Sequence, residues 1–150
     1  MSAEEQVKVD DPWAESPKWL IPSPDADDRE FWEGAARGEL RIQHCNDCGL
    51  YQHYARILCS HCGSWNVEWV TASGGGTLHT FTVIRQNGVP PFPDRVPFVV
   101  ALVELDEPGA RVLAAMPATP PDTASIGMRV QATFRPAGND LGFVDFEVAS

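Results

Sequence analysis

Four cysteines fall in two matched pairs, Cys45-Asn46-Asp47-Cys48-Gly49 and Cys59-Ser60-His61-Cys62-Gly63, with ten residues between Cys48 and Cys59. Two residues between thiolates let both reach one tetrahedral ion, and glycine after each second cysteine permits the left-handed turn that aims backbone N–H groups at sulfur. Four sulfurs at about 2.3 Å fill the coordination shell of Zn2+ and leave no position for water or substrate. The chemistry predicted for Cys45, Cys48, Cys59 and Cys62 is therefore a closed, structural metal site with zinc as its cofactor. Iron in a rubredoxin-like cage would use the same four thiolates. A thioredoxin-like pair is disfavoured, because neither C-x-x-C opens a helix after a strand, and disulfides are disfavoured in a reducing compartment. His44 and His61, beside the ligands, are expected to point outward. His53 and His79 have no Ser, Cys or carboxylate at a spacing that suggests a triad. The chain contains no G-x-G-x-x-G, no Walker loop, no H-E-x-x-H and no zinc-deaminase signature. No catalytic residue is assigned, and an auxiliary domain is expected rather than a self-sufficient enzyme.

Thiolates at this spacing need a small scaffold to hold them. A ribbon of roughly 25 residues buries too little surface to fold unaided, so the free energy of metal binding has to hold it together. A zinc ribbon is predicted over residues 40–72. Ahead of it, Ser23 or Asp25 can cap a helix that runs through Asp28, Phe31, Trp32 and Ala35, with acids in its first turn and Gly38 as its stop. This helical unit spans residues 25–39. Residues 1–24 place Trp13, Trp19, Leu20 and Ile21 between four prolines, a composition that blocks helix but supplies large apolar anchors. They read as an extended arm lying on its own domain or on a partner.

After the ribbon, Ser73-Gly74-Gly75-Gly76 reads as a hinge. Five strand-like stretches follow: 77–85, 98–105, 111–116, 129–135 and 143–148. They are rich in Val, Phe, Thr and Leu and are punctuated by Asn87-Gly88, Pro108-Gly109, Pro120-Pro121 and Gly138-Asn139. Five short strands with irregular connections predict a mainly β fold, with residues 73–150 forming a five-stranded barrel of the OB type. Between the first two strands, four prolines surround Phe92 in a stiff loop suited to recognition. Asp94, Asp106 and Glu107 are read as solvated acids in turns.

The charge narrows the partners. With 11 Lys+Arg against 21 Asp+Glu the net charge is -10, which removes long-range attraction to DNA, RNA or anionic lipid. A nucleic-acid-binding ribbon and OB module is the alternative reading, and the lack of a basic stripe with interleaved aromatics counts against it. Met1 to Asp11 lack the apolar stretch of a secretory signal, and no run approaches the ~18 apolar residues of a membrane span. A cytoplasmic location is expected, with no membrane partner.

Phe31-Trp32-Glu33-Gly34, Gly38-Glu39-Leu40, the two C-x-x-C-G knuckles, Gly76-Thr77-Leu78 and the run from Pro97 to Leu105 occur in an order more specific than either cysteine pair. Over about residues 25–148 the chain resembles an acyl-CoA-associated family long catalogued as domain of unknown function thirty-five. The resemblance implies a helix, a rubredoxin-like zinc ribbon and an OB fold, working beside thiolase-fold enzymes that cut acyl-CoA thioesters by thiolytic or retro-aldol chemistry. Some members are fused to a hot-dog-fold hydratase, and one pairs with an aldolase of steroid side-chain degradation. It carries the metal-ligand role to the four cysteines and supplies no catalytic residues. The expected partner is a thiolase-fold acyl-CoA enzyme in a hetero-oligomer, with acyl-CoA itself a further candidate. Trp13, Trp19, Phe31, Trp32 and Phe92 are the expected partner-binding residues.

Overall fold

The computed structural model describes residue 13 and residues 20–86 and 92–150. Its one α-helix among these residues, α1 (Arg29–Ala36), starts later than the sequence suggests. The Asp25 carboxylate does receive backbone N–H groups, from Asp27 at 2.9 Å and Asp28 at 3.2 Å, but it closes the turn before the helix. Asp28 occupies the N-cap position and makes no side-chain cap bond. Its carboxylate instead accepts the Asp25 N–H at 3.0 Å and the Trp32 Nε1–H at 3.3 Å. Phe31 and Ala35, four residues apart, lie buried on one face of the helix.

Strands β1 (Arg41–Cys45), β2 (Tyr51–Gln52) and β3 (Val67–Thr71) form a three-stranded antiparallel sheet in the order β2-β1-β3. The second sheet holds β4 (Gly75–Ile84), β5 (Phe98–Leu105), β6 (Arg111–Met116), β7 (Arg129–Gly138) and β8 (Leu141–Val148), in the order β6-β5-β4-β7-β8. Alternation decides which side chains go inward. Val99, Ala101, Val103 and Leu105 of β5 and Val112, Ala114 and Met116 of β6 are buried, together with Leu78, Val130 and Phe146. Each large apolar side chain taken out of water stabilises the fold by about 1.5–3 kcal/mol. β4 bends at an irregularity between Leu78 and Thr80, so its first residues pair with β7 while its whole length follows β5. At the β7–β8 hairpin Asn139 and Asp140 both have positive φ, as a two-residue turn requires.

The five predicted strands are present and the fold is mainly β, with strand order as in an OB barrel. The barrel is not sewn shut, however. β6 and β8 lie against each other, yet among the described residues no ladder joins them. Side chains of α1 and of the segment after β2 line this seam together with β6 and β8.

Ser73-Gly74-Gly75-Gly76 is not a hinge. Gly75 and Gly76 are buried within β4, and a Cβ on Gly76 would stand 2.6 Å from Val103 Cγ1 and 2.7 Å from the Glu104 carbonyl oxygen. Close packing explains these glycines: β5 crowds Gly76, while the Asp106 and Arg129 side chains would stand 2.7 and 3.1 Å from a Cβ on Gly75. Asp106 and Glu107 are also more than solvated turn acids. Asp106 accepts two bonds from Arg129 at 2.7 Å each, a pairing that holds its carboxyl below the usual range, and Glu107 accepts the Ser73 N–H at 2.9 Å. Among the described residues no helix is long and apolar enough to cross a membrane.

Candidate metal centre and the neighbouring cavity

Two knuckles bring the four cysteines together. After each second cysteine the chain turns back through a glycine of positive φ, Gly49 (+79°) and Gly63 (+78°), whose N–H reaches the first cysteine's carbonyl at 2.9 Å. The turns aim N–H groups at sulfur: Cys48 N–H lies 3.5 Å from Cys45 Sγ and His61 N–H lies 3.3 Å from Cys59 Sγ. The knuckles are tied to each other through Asp47, which accepts the Ser64 hydroxyl and, at 3.3 Å, an Asn66 side-chain N–H.

The four Sγ atoms lie within 4.8 Å of one another, with Cys45 to Cys62 at 3.6 Å and Cys48 to Cys59 at 3.7 Å. Four ligands at about 2.3 Å around a tetrahedral ion require sulfur separations of about 3.8 Å, close to those of the Cys45–Cys62 and Cys48–Cys59 pairs, so the cluster suits zinc. Electrostatics agree with geometry. The Cys48 N–H is the main influence lowering the Cys45 thiol, and the Cys62 N–H is the main one bringing Cys59 down to about 7. At Cys62 the Ser64 N–H pulls downward, but burial and the neighbouring sulfurs outweigh it and push the thiol up to about 12. Cys48 is raised in the same way against the pull of the Leu50 N–H. All four sulfurs therefore carry negative charge together only around a cation, which is the condition of a metal cage.

Two buried glutamines hold the ribbon's long loop. Gln52 donates to Gln43 Oε1 at 2.6 Å and to the Leu58 carbonyl at 3.2 Å, while its own oxygen accepts the Ser60 N–H at 2.7 Å. Gln43 accepts the Arg56 N–H at 2.9 Å and donates to the Arg56 carbonyl at 3.0 Å. The rings of the histidines next to the cage are not among the four clustered ligands. The His44 ring sits 4.6 Å from that of Tyr51, and His61 Nε2 lies 3.0 Å from the Tyr51 carbonyl oxygen.

The residues expected to meet a partner have different surroundings. Phe31 is 8% exposed and belongs to the core, while Trp32 is half-buried beside it with ring centroids 5.2 Å apart. Trp13 is half-buried on its own barrel: its ring lies 5.1 Å from that of Phe98, with the Arg95 and Arg135 guanidiniums 4.6 and 5.3 Å from its centroid. Trp19 and the side chain of Phe92 lie outside the described residues.

Between α1, the segment 53–55, β6 and β8 lies a cavity of about 360 Å3. Phe31, Trp32, Val112, Phe143 and Val144 wall it, and Asp25, Asp27 and Asp28 line it at the helix end. At its base Asp145, 4% exposed, accepts from Arg135 Nε and, at 3.4 Å, from Nη2. Burial pushes the Asp145 carboxyl up, against the pull of Arg135. Neither this pair nor the two glutamines belongs to a recognisable sequence motif. The signal for the pair was available in the hairpin: Arg135 faces Phe143 across the ladder, which places Asp145 one diagonal step away.

Comparison with known proteins adds identity to this geometry. Residues 32–68 match the family model described as ChsH2, rubredoxin-like zinc ribbon domain, and residues 69–135 match that of ChsH2, C-terminal OB-fold domain. The 3-oxo-4,17-pregnadiene-20-carboxyl-CoA hydratase alpha subunit of Mycobacterium tuberculosis is 40% identical over 116 residues, 77% of this chain and 36% of that protein. A probable enoyl-CoA hydratase alpha subunit of Thermomonospora curvata is 36% identical over 90% of this chain, which spans 42% of that relative's length. A DUF35 domain-containing scaffold protein of Methanothermobacter thermautotrophicus is 38% identical over 66% of this chain and 74% of its own. Among solved structures, one named Ltp2-ChsH2(DUF35) aldolase superposes with a TM-score of 0.75 at 32% identity, covering 86% of this chain and 99% of that one.

Proposed function

Because the chain belongs to the DUF35 family, we propose that it is a non-catalytic accessory subunit that binds and supports a thiolase-fold enzyme acting on acyl-CoA. The closed four-sulfur cage carries this reading. Zinc bound there holds the ribbon together and has no free position at which to polarise a substrate. Nearby, the histidines stack on aromatic rings or meet a backbone carbonyl, and the buried carboxylate is already paired with Arg135. The scaffold name of the archaeal relatives and the aldolase name of the solved structure support a role beside an enzyme. The relatives named as hydratase subunits are more than twice the span matched, so a hydratase activity does not follow for these residues.

The division of labour proposed for the chain is an arm (1–24), a helix (25–39), a zinc ribbon (40–72) and an OB fold (73–150). The partner is met by Trp32 at the helix surface, with Phe31 bracing it from beneath, and by Trp13, Trp19 and the loop carrying Phe92. Acting beside an acyl-CoA enzyme, the chain would work in the cytoplasm. Co-expression with a thiolase-fold enzyme encoded nearby, followed by size analysis and an acyl-CoA cleavage assay, tests the reading. The expected result is a stable hetero-oligomer with activity in the complex and none in the purified chain. Turnover by this chain alone, or failure of the two proteins to co-migrate, would overturn it.

A further inference from the structure

The cavity in the open seam of the barrel joins two features that are unconnected in sequence. Phe31, Trp32 and Phe143 with Val112 and Val144 give it an apolar side, and its volume is about 360 Å3. At its rim, Tyr54 and Leu113 are 59% and 56% exposed, a large apolar area to leave in water. The charge at its mouth is acidic. Asp25, Asp27 and Asp28 line it, and among the described residues none of the three is in an ion pair. Arg135 at the base is neutralised by Asp145 and covered by the Phe143 ring at 4.3 Å, so it does not offset the acids at the mouth. His53 on the ribbon side is held neutral by burial, its pKa lowered to about 4.

Apolar walls behind carboxylates call for an occupant that is apolar at its tip and cationic at its flanks. A second copy of this chain fits poorly, since it carries net charge -10. A free anion would meet three carboxylates on entry. We propose that the seam cavity is a socket into which the partner protein inserts one apolar side chain, aromatic or branched aliphatic, flanked by lysine or arginine. This rests on the reading above that a partner enzyme exists, and it gives that interface a place and a chemistry.

Three variants of the full chain test the socket in the complex. Ala115→Phe, on the β6 wall, occupies the cavity and is expected to weaken partner binding at least tenfold. Asp27→Lys, whose carboxylate makes no hydrogen bond to another described residue, is expected to weaken it several-fold at low salt and to flatten its salt dependence. Trp65→Ser removes the most exposed large apolar residue described, which lies on the ribbon, and is expected to change binding less than twofold. Zinc content and melting temperature identify any variant that has simply misfolded. A complex that tolerates Ala115→Phe and Asp27→Lys but is lost with Trp65→Ser would move the interface to the ribbon and overturn the socket, leaving the accessory role intact.

A second measurement does not need the enzyme. The peptide acetyl-Lys-Arg-Phe-Lys-Arg-amide is titrated into the isolated zinc-loaded chain while the Trp32 indole N–H is followed by NMR. A saturable shift is expected, absent when serine replaces phenylalanine or glutamates replace the basic residues. No shift at Trp32, equal shifts with all three peptides, or tighter binding of acetophenone than of the basic peptide would each overturn the proposal. If the basic peptide binds selectively but no thiolase-fold enzyme does, the accessory reading fails and the socket stands.

Discussion

At the scale of single residues, the ribbon depends on charge held in place by backbone donors. Loss of one ligand opens the cage and leaves three sulfurs whose repulsion the metal no longer offsets. Cys59→Ser is expected to lose the roughly one zinc per chain that the intact protein binds, together with soluble expression, because metal binding and folding of so small a module are one equilibrium. Elemental analysis beside a thermal melt checks this; a metal-free Cys59→Ser chain that melts like the parent would refute the closed cage. His53 gives a pH signature. Its ring, half-buried between Phe31 at 4.6 Å and Tyr54 at 4.1 Å, has a folded pKa of about 4 against 6.5 unfolded. A depressed histidine means that the unfolded chain binds the proton first, so this contribution to stability is complete above pH 6.5 and is lost as pH falls toward 4. Between pH 7 and 5.5, above the range where cysteine-bound zinc and most carboxylates titrate, the loss is about 1 kcal/mol. His53→Phe keeps a ring in place without the proton, and its stability measured by denaturant should be flatter over that interval by this amount. Equal pH slopes for both proteins would show that His53 is solvated.

At the scale of elements, β strands were readable because alternation and turn residues act locally, whereas the path by which they meet was not. The strands Phe98–Leu105 and Arg111–Met116 coincide with their sequence-based bounds, since Pro97 and the Pro108-Gly109 turn mark their limits. The cage was equally legible, because thiolate spacing carries its own geometry. The glycine run at residues 74–76 reads as a hinge in sequence, since flexibility and close packing use the same residue and only the neighbours that crowd them, Gln131 at Gly74, Asp106 at Gly75 and β5 at Gly76, distinguish the two. Arg135–Asp145 and the Gln43–Gln52 network were missed for a related reason: a buried polar side chain looks solvated until its partner, set by register or by a loop returning from elsewhere, is known. The Gly76 finding has a direct consequence. Gly76→Val forces β4 away from Val103 and the Glu104 backbone, so a cost of about 3 kcal/mol or more is expected, with zinc retained by the ribbon. A Gly76→Val protein of parental stability would mean that β4 and β5 are looser than the sheet implies.

At the scale of the whole molecule, Trp13 and Ile21 are among the described residues that tie the arm back to the barrel, Ile21 against Gly138. Trp13 packs against two guanidiniums, Arg95 and Arg135, and meets Phe98 edge to face, while Arg135 also holds Asp145 in the seam cavity. Its removal would therefore do more than shorten an appendage. Each cation–π contact is worth about 0.5–1 kcal/mol where exposed and up to about 2 when desolvated, and the aromatic pair with Phe98 adds a similar amount. Part of this is offset by the entropy of ordering the arm, which leaves a net contribution of about 2 kcal/mol. In a chain of this length that corresponds to a fall in melting temperature of about 4–8 °C. Trp13→Ala should show this loss, and deletion of residues 1–24 should cost at least as much, since it also removes Ile21 from Gly138. The two variants should then part company in complex formation. If Trp19 meets a partner, the deletion weakens the complex beyond the effect of Trp13→Ala; if the arm serves only its own barrel, the two bind alike once corrected for stability. Melting curves and binding isotherms for both variants decide this, and an unchanged melting temperature for Trp13→Ala would show that the arm is not fastened at that residue.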